Sequence, residues 1–180
     1  ELNDRPMHPY PSGDMAWTKN DEYILLYDFY DIWKIEPQSG KKINLTKGRK
    51  KQLKYRYIRI DREIRSLPSD TTVLVKIFDD KDKTSGYGKL DIKYGGVKQI
   101  EKGPYNYTTR VIKAEKSDEI IFTKSNFNMY PDLILSNINF ENQKKISDAN
   151  PQRSEYAWGS IEHVNWTHPD GKPSEGLLVK

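Results

Sequence analysis

The residues best suited to metal chemistry in this sequence are its three histidines, because the chain contains no cysteine. Structural zinc sites combine histidines at close spacing with thiolates or further histidines. His8, His163 and His168 show neither an i,i+4 spacing nor a neighbouring thiol. The sequence therefore predicts no zinc site.

A hydroxyl nucleophile is the second chemistry to consider. Serine hydrolases of the α/β type place the nucleophile in a Gly-x-Ser-x-Gly turn between a strand and a helix, with a base within reach. That pattern does not occur, and the pairs Ser12-Gly13 and Ser85-Gly86 have the composition of turns. We expect no catalytic residue within these 180 residues.

Calcium and phosphate sites are also considered. Asp79, Asp80 and Asp82 are closely spaced, but the glycine and the terminal glutamate of a calcium-binding loop are missing, so a solvated turn is expected. Glycines occur at residues 86–88 (GYG) and 95–96 (GG), and both are expected in turns between strands rather than in a phosphate-binding loop. The sequence predicts no metal and no cofactor.

A basic stretch offers the strongest signal for a polyanionic partner. Residues 47–59, KGRKKQLKYRYIR, carry seven positive charges and two tyrosines, a composition that also suits single-stranded nucleic acid. The alternative is a solvated loop that leads into a strand, with acidic runs elsewhere in the chain offsetting the charge. We favour the loop and predict no nucleic-acid partner.

Aromatic residues could instead form a recognition platform. Trp17, Tyr27, Tyr30 and Trp33 lie close together in the sequence and, if exposed, could bind a sugar or a protein. Packing between layers of sheet is the alternative and the preferred interpretation. An interaction module remains the second functional hypothesis.

The composition indicates an ordered, all-β chain. Apolar residues make up 35% and charged residues 31%, yet there are 12 tyrosines and four tryptophans, which is too many for a disordered segment. The longest apolar run, residues 23–27, is far too short to cross a membrane. The absence of cysteine does not determine the cellular compartment. Our hypothesis is that the full-length protein is periplasmic or secreted.

Three strand-like cores repeat along the chain. EYILLYD (22–28), TVLVKIFD (72–79) and EIIFTK (119–124) begin 50 and 47 residues apart, and each follows a short polar turn. A strand-like piece precedes each turn, at residues 15–18, 55–61 and 109–115. A third segment and a short lysine-bearing fourth segment follow each core. The third segments are residues 31–36, 87–94 and 132–138, and the fourth are residues 41–46, 97–101 and 143–147.

Four short antiparallel strands per unit at this spacing are typical of β-propeller blades. We predict three blades at about residues 13–49, 50–104 and 105–151, with lysines guarding the outer edge strands. A β-sandwich with regular strand spacing is the alternative. REIRSLP (62–68) comes nearest to a helix, but its proline ends it, so almost no helix is expected.

The last segment predicts a β-hairpin. Residues 163–167 and 175–180 read as strands around the turn HPDG (168–171). An isolated hairpin is only marginally stable in water, so this one is expected to join a larger sheet. Because the first residue is not methionine, the chain is also expected to come from a longer protein.

Residues 146–180, ISDANPQRSEYAWGSIEHVNWTHPDGKPSEGLLVK, resemble the crossover from β-propeller to α/β-hydrolase domain in the prolyl oligopeptidase family of serine peptidases. The likeness is closest to bacterial dipeptidyl-peptidase-like members. WTHPDGKPSEGLL (166–178) has the form of the phrase that opens the catalytic domain there. Residues 16–46 and 125–147 resemble late blades of those propellers, and Phe127 with a turn at residues 130–133 matches the last full blade.

The resemblance implies that residues 1–151 are part of a propeller and that residues 152–180 begin a hydrolase domain. The family's catalytic Ser, Asp and His would all lie beyond Lys180, so none is assigned here. The propeller would scaffold that domain and gate the access of peptide substrates to it. Three blades would leave two apolar faces uncovered, which predicts a homodimer.

Overall fold

A computed structural model describes residues 7–8 and 10–180 of the chain, and these residues form an all-β structure. Helix accounts for only 6% of the structure, in three short 3-10 helices among the described residues. The strands are β1 (Asp14–Thr18), β2 (Ile24–Tyr27), β3 (Ile32–Ile35), β4 (Lys42–Asn44), β5 (Leu53–Tyr57), β6 (Ser66–Leu67), β7 (Thr72–Asp79), β8 (Ser85–Asp91), β9 (Val97–Gly103), β10 (Asn106–Tyr107), β11 (Ile112–Lys113), β12 (Glu119–Asn126), β13 (Met129–Asn137), β14 (Lys144–Lys145), β15 (Ile161–Thr167) and β16 (Pro173–Val179).

The strands form three sheets and a hairpin. The first sheet has the order β4-β3-β2-β1-β6, the second β5-β7-β8-β9 and the third β10-β12-β13-β14, with β11 also paired to β12. Strands β15 and β16 pair only with each other. Every pairing is antiparallel except that of β6 with β1. Each sheet is thus a four-stranded meander. The first sheet also contains a short fifth strand, β6, which lies in the sequence between β5 and β7 of the second sheet.

The second sheet is buried on both faces, as the apolar composition of β7 predicts. Successive side chains of a strand point to opposite faces. Val73, Val75 and Ile77 belong to a core shared with the first sheet, whereas Leu74 belongs to a core shared with the third. Burying one aliphatic side chain of this kind stabilises the fold by about 1.5–3 kcal/mol.

An aromatic cluster joins the second sheet to the third. Tyr87, from β8, is fully buried and stacks on Phe140 with ring centroids 4.4 Å apart. Its ring also meets the edges of Tyr107 and Phe122 at 5.2 and 5.9 Å. Edge-to-face and offset-stacked pairs at these distances are favourable beyond the area that they bury.

The outer faces of the first and third sheets have no covering layer within the described residues. Trp33 lies opposite Leu26 on the outer face of the first sheet, and Trp17, which is 39% exposed, extends it. On the third sheet, Ile112 and Leu133 are exposed. The fold therefore presents one apolar face at each end of the stack of sheets.

The structure confirms the all-β prediction and the scarcity of helix. Residues 62–68, the nearest helical candidate, contain a bend at residues 62–63 and the short strand β6 instead of a helix. The lysine-bearing strands β4, β9 and β14 lie at sheet edges. No helix among the described residues combines the length and hydrophobicity needed to cross a bilayer.

Two predicted turns are wrong. Ser85 and residues 86–88 lie inside β8. Gly86 is a glycine there because β9 passes so close that a Cβ would overlap the carbonyl oxygen of Glu101. Residues 130–133 lie inside β13. Pro131 is tolerated there because it lies near a register irregularity between β12 and β13 and before the residues that pair with β14.

Some segments differ in extent from the prediction. The first strand-like piece of the second unit ends at Tyr57 rather than at residue 61. The corresponding piece of the third unit, residues 109–115, contains only the two-residue strand β11, and β10 precedes it. The predicted turn at residues 95–96 is present, with both glycines at positive φ.

Candidate functional site

One end of the three sheets carries the loops that join the second and third strands of each meander. These loops are residues 28–31, 80–84 and 127–128, and we call this end the turn face. In an antiparallel meander the connections between successive sheets lie at the same end as these loops. Residues 45–52, 104–105 and 146–160 therefore border the turn face as well.

Two aspartates hold the corner of the first sheet. Asp31 is 1% exposed and accepts hydrogen bonds from the Thr46 hydroxyl at 2.7 Å and from the backbone N–H of Gly48. Asp28 accepts from the Trp33 indole at 3.0 Å. Burial opposes the ionisation of Asp28, but the hydrogen bonds from the Asp31 N–H and from Trp33 outweigh it and lower the pKa of Asp28.

Several cationic side chains of the basic stretch at residues 47–59 contact this corner. Lys54 forms an ion pair with Asp80 at 3.1 Å and lies 4.2 Å from the centre of the Phe29 ring. Arg49 pairs with Asp28 at 3.1 Å. Arg56 lies 4.8 Å from the centre of the Tyr27 ring and donates to backbone carbonyls. These cations fasten the second sheet to the first.

The aromatic residues considered as a platform do not share one surface. Tyr30 is buried and donates from its hydroxyl to Asp80 at 3.2 Å. The hydroxyl of Tyr27 accepts a hydrogen bond from the Tyr57 N–H. Trp17 and Trp33 lie instead on the outer face of the first sheet.

An ion-pair network connects the hairpin to the turn face. Glu175, from β16, accepts from Lys83 at 2.7 Å and lies 2.9 Å from the Nε2 atom of His163. Lys83 also donates to the carbonyl oxygen of Asp80 at 2.7 Å. The hydrogen bond to Glu175 raises the pKa of Lys83, and the same contact lowers the pKa of Glu175. Both groups therefore stay charged across the neutral pH range.

The segment that leads to the hairpin lies against the third sheet. The Trp158 indole donates to the carbonyl oxygen of Phe127 at 2.9 Å, and the two rings are 5.8 Å apart. The Arg153 guanidinium lies 4.7 Å from the Trp158 ring and donates to Asn128. Residues 151–158 border a cavity of about 510 Å³ here. This segment is thus anchored on the third sheet, and the hairpin that follows it contacts the second.

The hairpin carries apolar side chains on both faces. Directly opposed residues share a face, so Leu177 and Val179 lie on one face and Trp166 with Leu178 on the other. Leu177 is 68% exposed and Leu178 43% exposed. Strands of this kind are typical of a sheet that is covered on both sides. Its two outer edges have no strand partner among the described residues.

The residues considered for metal chemistry contact other polar side chains. Asp79 accepts from Lys102 at 2.7 Å, Asp82 lies 3.5 Å from the same lysine, and the Nδ1 atom of His168 lies 2.9 Å from Asp170. Within residues 7–8 and 10–180, no group of three or more His, Asp or Glu side chains is placed to hold a metal ion. Ser85, considered as a hydroxyl nucleophile, donates to the carbonyl oxygen of Tyr105 at 2.7 Å.

Comparison with solved structures identifies similar folds. A puromycin hydrolase mutant complexed with PGG is similar over 91% of this chain, with a TM-score of 0.54 and 10% sequence identity. A second structure of puromycin hydrolase is similar over 92%, with a TM-score of 0.52 and 10% identity. A variant of the AtxE2 isopeptidase with Astexin3-dC4 bound is similar over 87%, with a TM-score of 0.46 and 9% identity.

At these identities the likeness to the two puromycin hydrolase structures shows the fold alone. The chain spans 25% of the length of those proteins. No protein-family model and no curated protein matches the sequence.

Proposed function

We propose that this chain is the last part of the β-propeller of a serine peptidase of the prolyl oligopeptidase family. The three sheets are three blades, at about residues 13–49, 50–104 and 105–151, and residues 152–180 open an α/β-hydrolase domain. The fold shared with puromycin hydrolase and the sequence resemblance of residues 146–180 support this proposal.

The hairpin is the observation on which the proposal rests. It carries apolar side chains on both faces, has two unpaired edges and is tied by Glu175 to the turn face. Such a hairpin gains most of its stability by joining further strands, because two strands alone bury too little surface. A hydrolase sheet that follows Lys180 provides those strands.

In this proposal the segment itself does no chemistry. It holds the hydrolase domain against the turn face and restricts the access of peptide substrates to a catalytic serine beyond Lys180. The alternative function is a self-standing interaction module. Under that alternative, no further sheet would pair with the hairpin.

Hydrogen exchange tests the proposal directly. Residues 1–180 are compared with the natural chain extended through the following domain, and the outward-facing amides of β15 and β16 are monitored. We expect these amides to exchange rapidly in residues 1–180 and to be strongly protected in the extended chain. Amides of β7, which is buried on both faces, serve as the control and should be protected in both.

Equal exchange of the hairpin amides in the two proteins would contradict the proposal, because no sheet would then have formed on the hairpin. A reading frame that ends directly after Lys180 would contradict it as well. A Gly-x-Ser-x-Gly motif in the following residues is the expected sequence result.

A further inference from the structure

The arginines of this protein are distributed in a way that the ion pairs of the fold do not explain. The chain contains eight arginines and 22 lysines. Four of the eight arginines, and only one lysine, line two neighbouring grooves on the segments that precede the central strands of the second and third sheets; the arginines are Arg59, Arg62, Arg65 and Arg110.

The larger of the two grooves has a volume of about 900 Å³ and runs between residues 59–63 and residues 109–115. Its floor includes the buried side chain of Val111. Arg62 and Arg110 line it from opposite segments, and both are exposed. Within the described residues neither guanidinium takes part in an ion pair or a side-chain hydrogen bond, whereas Arg59 donates to the carbonyl oxygen of Ile64.

Arginine differs from lysine in presenting a planar fork of N–H donors, which matches a carboxylate with two parallel hydrogen bonds. A protein whose surface is otherwise rich in lysine does not need arginine here for solubility. Arginine at these two groove-lining positions, without an ion-pair partner among the described residues, fits the recognition of a planar anion.

Acidic residues narrow the class of ligand. Asp61, Glu63 and Glu115 line the same groove, and Asp61 accepts the backbone N–H of Glu63. These carboxylates repel a continuous polyanion such as nucleic acid, but they accept hydrogen bonds from amide N–H groups. A ligand with separate carboxylates on an amide backbone satisfies both sets of groups.

We propose that the groove between residues 59–63 and 109–115 binds a carboxylate-bearing peptide, with Arg62 and Arg110 as the carboxylate-binding residues. The carboxylate comes either from acidic side chains or from the peptide's own C-terminus. The proposal depends on the described groove and not on the presence of a hydrolase domain.

The test measures binding of two peptides to residues 1–180 by isothermal titration calorimetry at low salt. One is an acetylated and amidated oligoglycine with a single central glutamate, and the other an acetylated oligoglycine with a free C-terminal carboxylate. We expect at least one to bind. Preference between them identifies the source of the carboxylate.

Two double variants separate recognition from general charge. Arg62→Lys with Arg110→Lys keeps both charges but loses the forked donors, and should weaken binding at least tenfold, because an ammonium group cannot form the two parallel hydrogen bonds to a carboxylate. Lys50→Gln with Lys51→Gln removes two exposed charges outside the groove and should change binding less than twofold. Circular dichroism confirms that each variant is folded.

Three results would overturn the proposal. The first is no binding of either peptide at millimolar concentration. The second is equal weakening by the arginine and lysine double variants, which would indicate unspecific electrostatic attraction. The third is tighter binding of a single-stranded oligonucleotide than of either peptide, with loss of that binding in the arginine variant.

Discussion

The contact between the second and third sheets depends on Tyr87, and replacing this residue should show how much the side chain contributes to the free energy of unfolding. The side chain is 0% exposed, touches three aromatic rings and donates from its hydroxyl to the carbonyl oxygen of Thr108 at 2.7 Å. Burial raises the pKa of Tyr87 far above its ordinary value, so the hydroxyl keeps the proton that it donates at neutral pH.

Two substitutions separate the hydroxyl from the ring. Tyr87→Phe removes only the hydrogen bond and leaves the Thr108 carbonyl unpaired, which costs about 1–2 kcal/mol. Tyr87→Ala also removes the stacking on Phe140 and opens a cavity, for which losses of about 3–5 kcal/mol are typical. For a chain of this size, each kcal/mol lowers the unfolding temperature by about 2–4 °C.

Thermal unfolding followed by circular dichroism measures both effects. We expect the unfolding temperature to fall by about 2–8 °C for Tyr87→Phe and by more than about 6 °C for Tyr87→Ala. Tyr94→Phe, at a tyrosine that is 79% exposed, is the matched control and should leave the temperature unchanged. If Tyr87→Ala unfolded within 1 °C of the unmodified protein, the second and third sheets would not pack in solution as described.

Three further predictions concern packing, pH and association. Gly86→Ala should lower the unfolding temperature in differential scanning fluorimetry, because the new Cβ overlaps the Glu101 carbonyl oxygen; an unchanged temperature would mean that β8 and β9 do not approach as closely. The hydrogen bond from Lys145 lowers the pKa of Asp132 to about 2, so its stabilisation is complete above about pH 4 and is lost as the pH falls toward 2. Asp132→Asn should therefore flatten the dependence of unfolding temperature on pH in that window, and an equally steep dependence would argue against the pairing. Sedimentation of residues 1–180 should show a concentration-dependent dimer, because the uncovered faces of the first and third sheets are apolar, and a monomer at all concentrations would count against that proposal.

The meander of each sheet could be predicted from the sequence because its cause is local. The apolar core of β7 was placed at its observed bounds, residues 72–79, since a strand buried on both faces reads as a continuous apolar run. The hairpin was predicted from its turn residues, HPDG, and from the apolar residues that flank them.

Features that depend on distant contacts could not be predicted. Gly86 resembles a turn glycine, and only the approach of β9 shows why it lies inside a strand. The short strand β6 has no strong strand pattern of its own and forms because it pairs with β1 of another sheet. The ion pair between Lys83 and Glu175 joins residues 92 positions apart, and no local pattern indicates it.

The functional residues show the same division. The basic stretch does lead into a strand, since Lys54 lies in β5, but its partner Asp80 could be identified only in the fold. The sequence does not indicate that Arg62 and Arg110 line one groove, because the two arginines lie on separate segments of ordinary composition. The enrichment of arginine over lysine at residues 59–65 was the available signal.

Covalent labelling with a fluorophosphonate probe tests directly whether the catalytic serine lies beyond Lys180. A serine reacts with such a probe only when a neighbouring base activates it and when donors stabilise the oxyanion, and each such donor is worth about 3–4 kcal/mol. We expect residues 1–180 to show no mass increase after treatment, and the natural chain extended through the proposed hydrolase domain to gain one adduct at a serine of that domain. An adduct on any serine of residues 1–180, or an extended chain that reacts nowhere, would contradict the proposal.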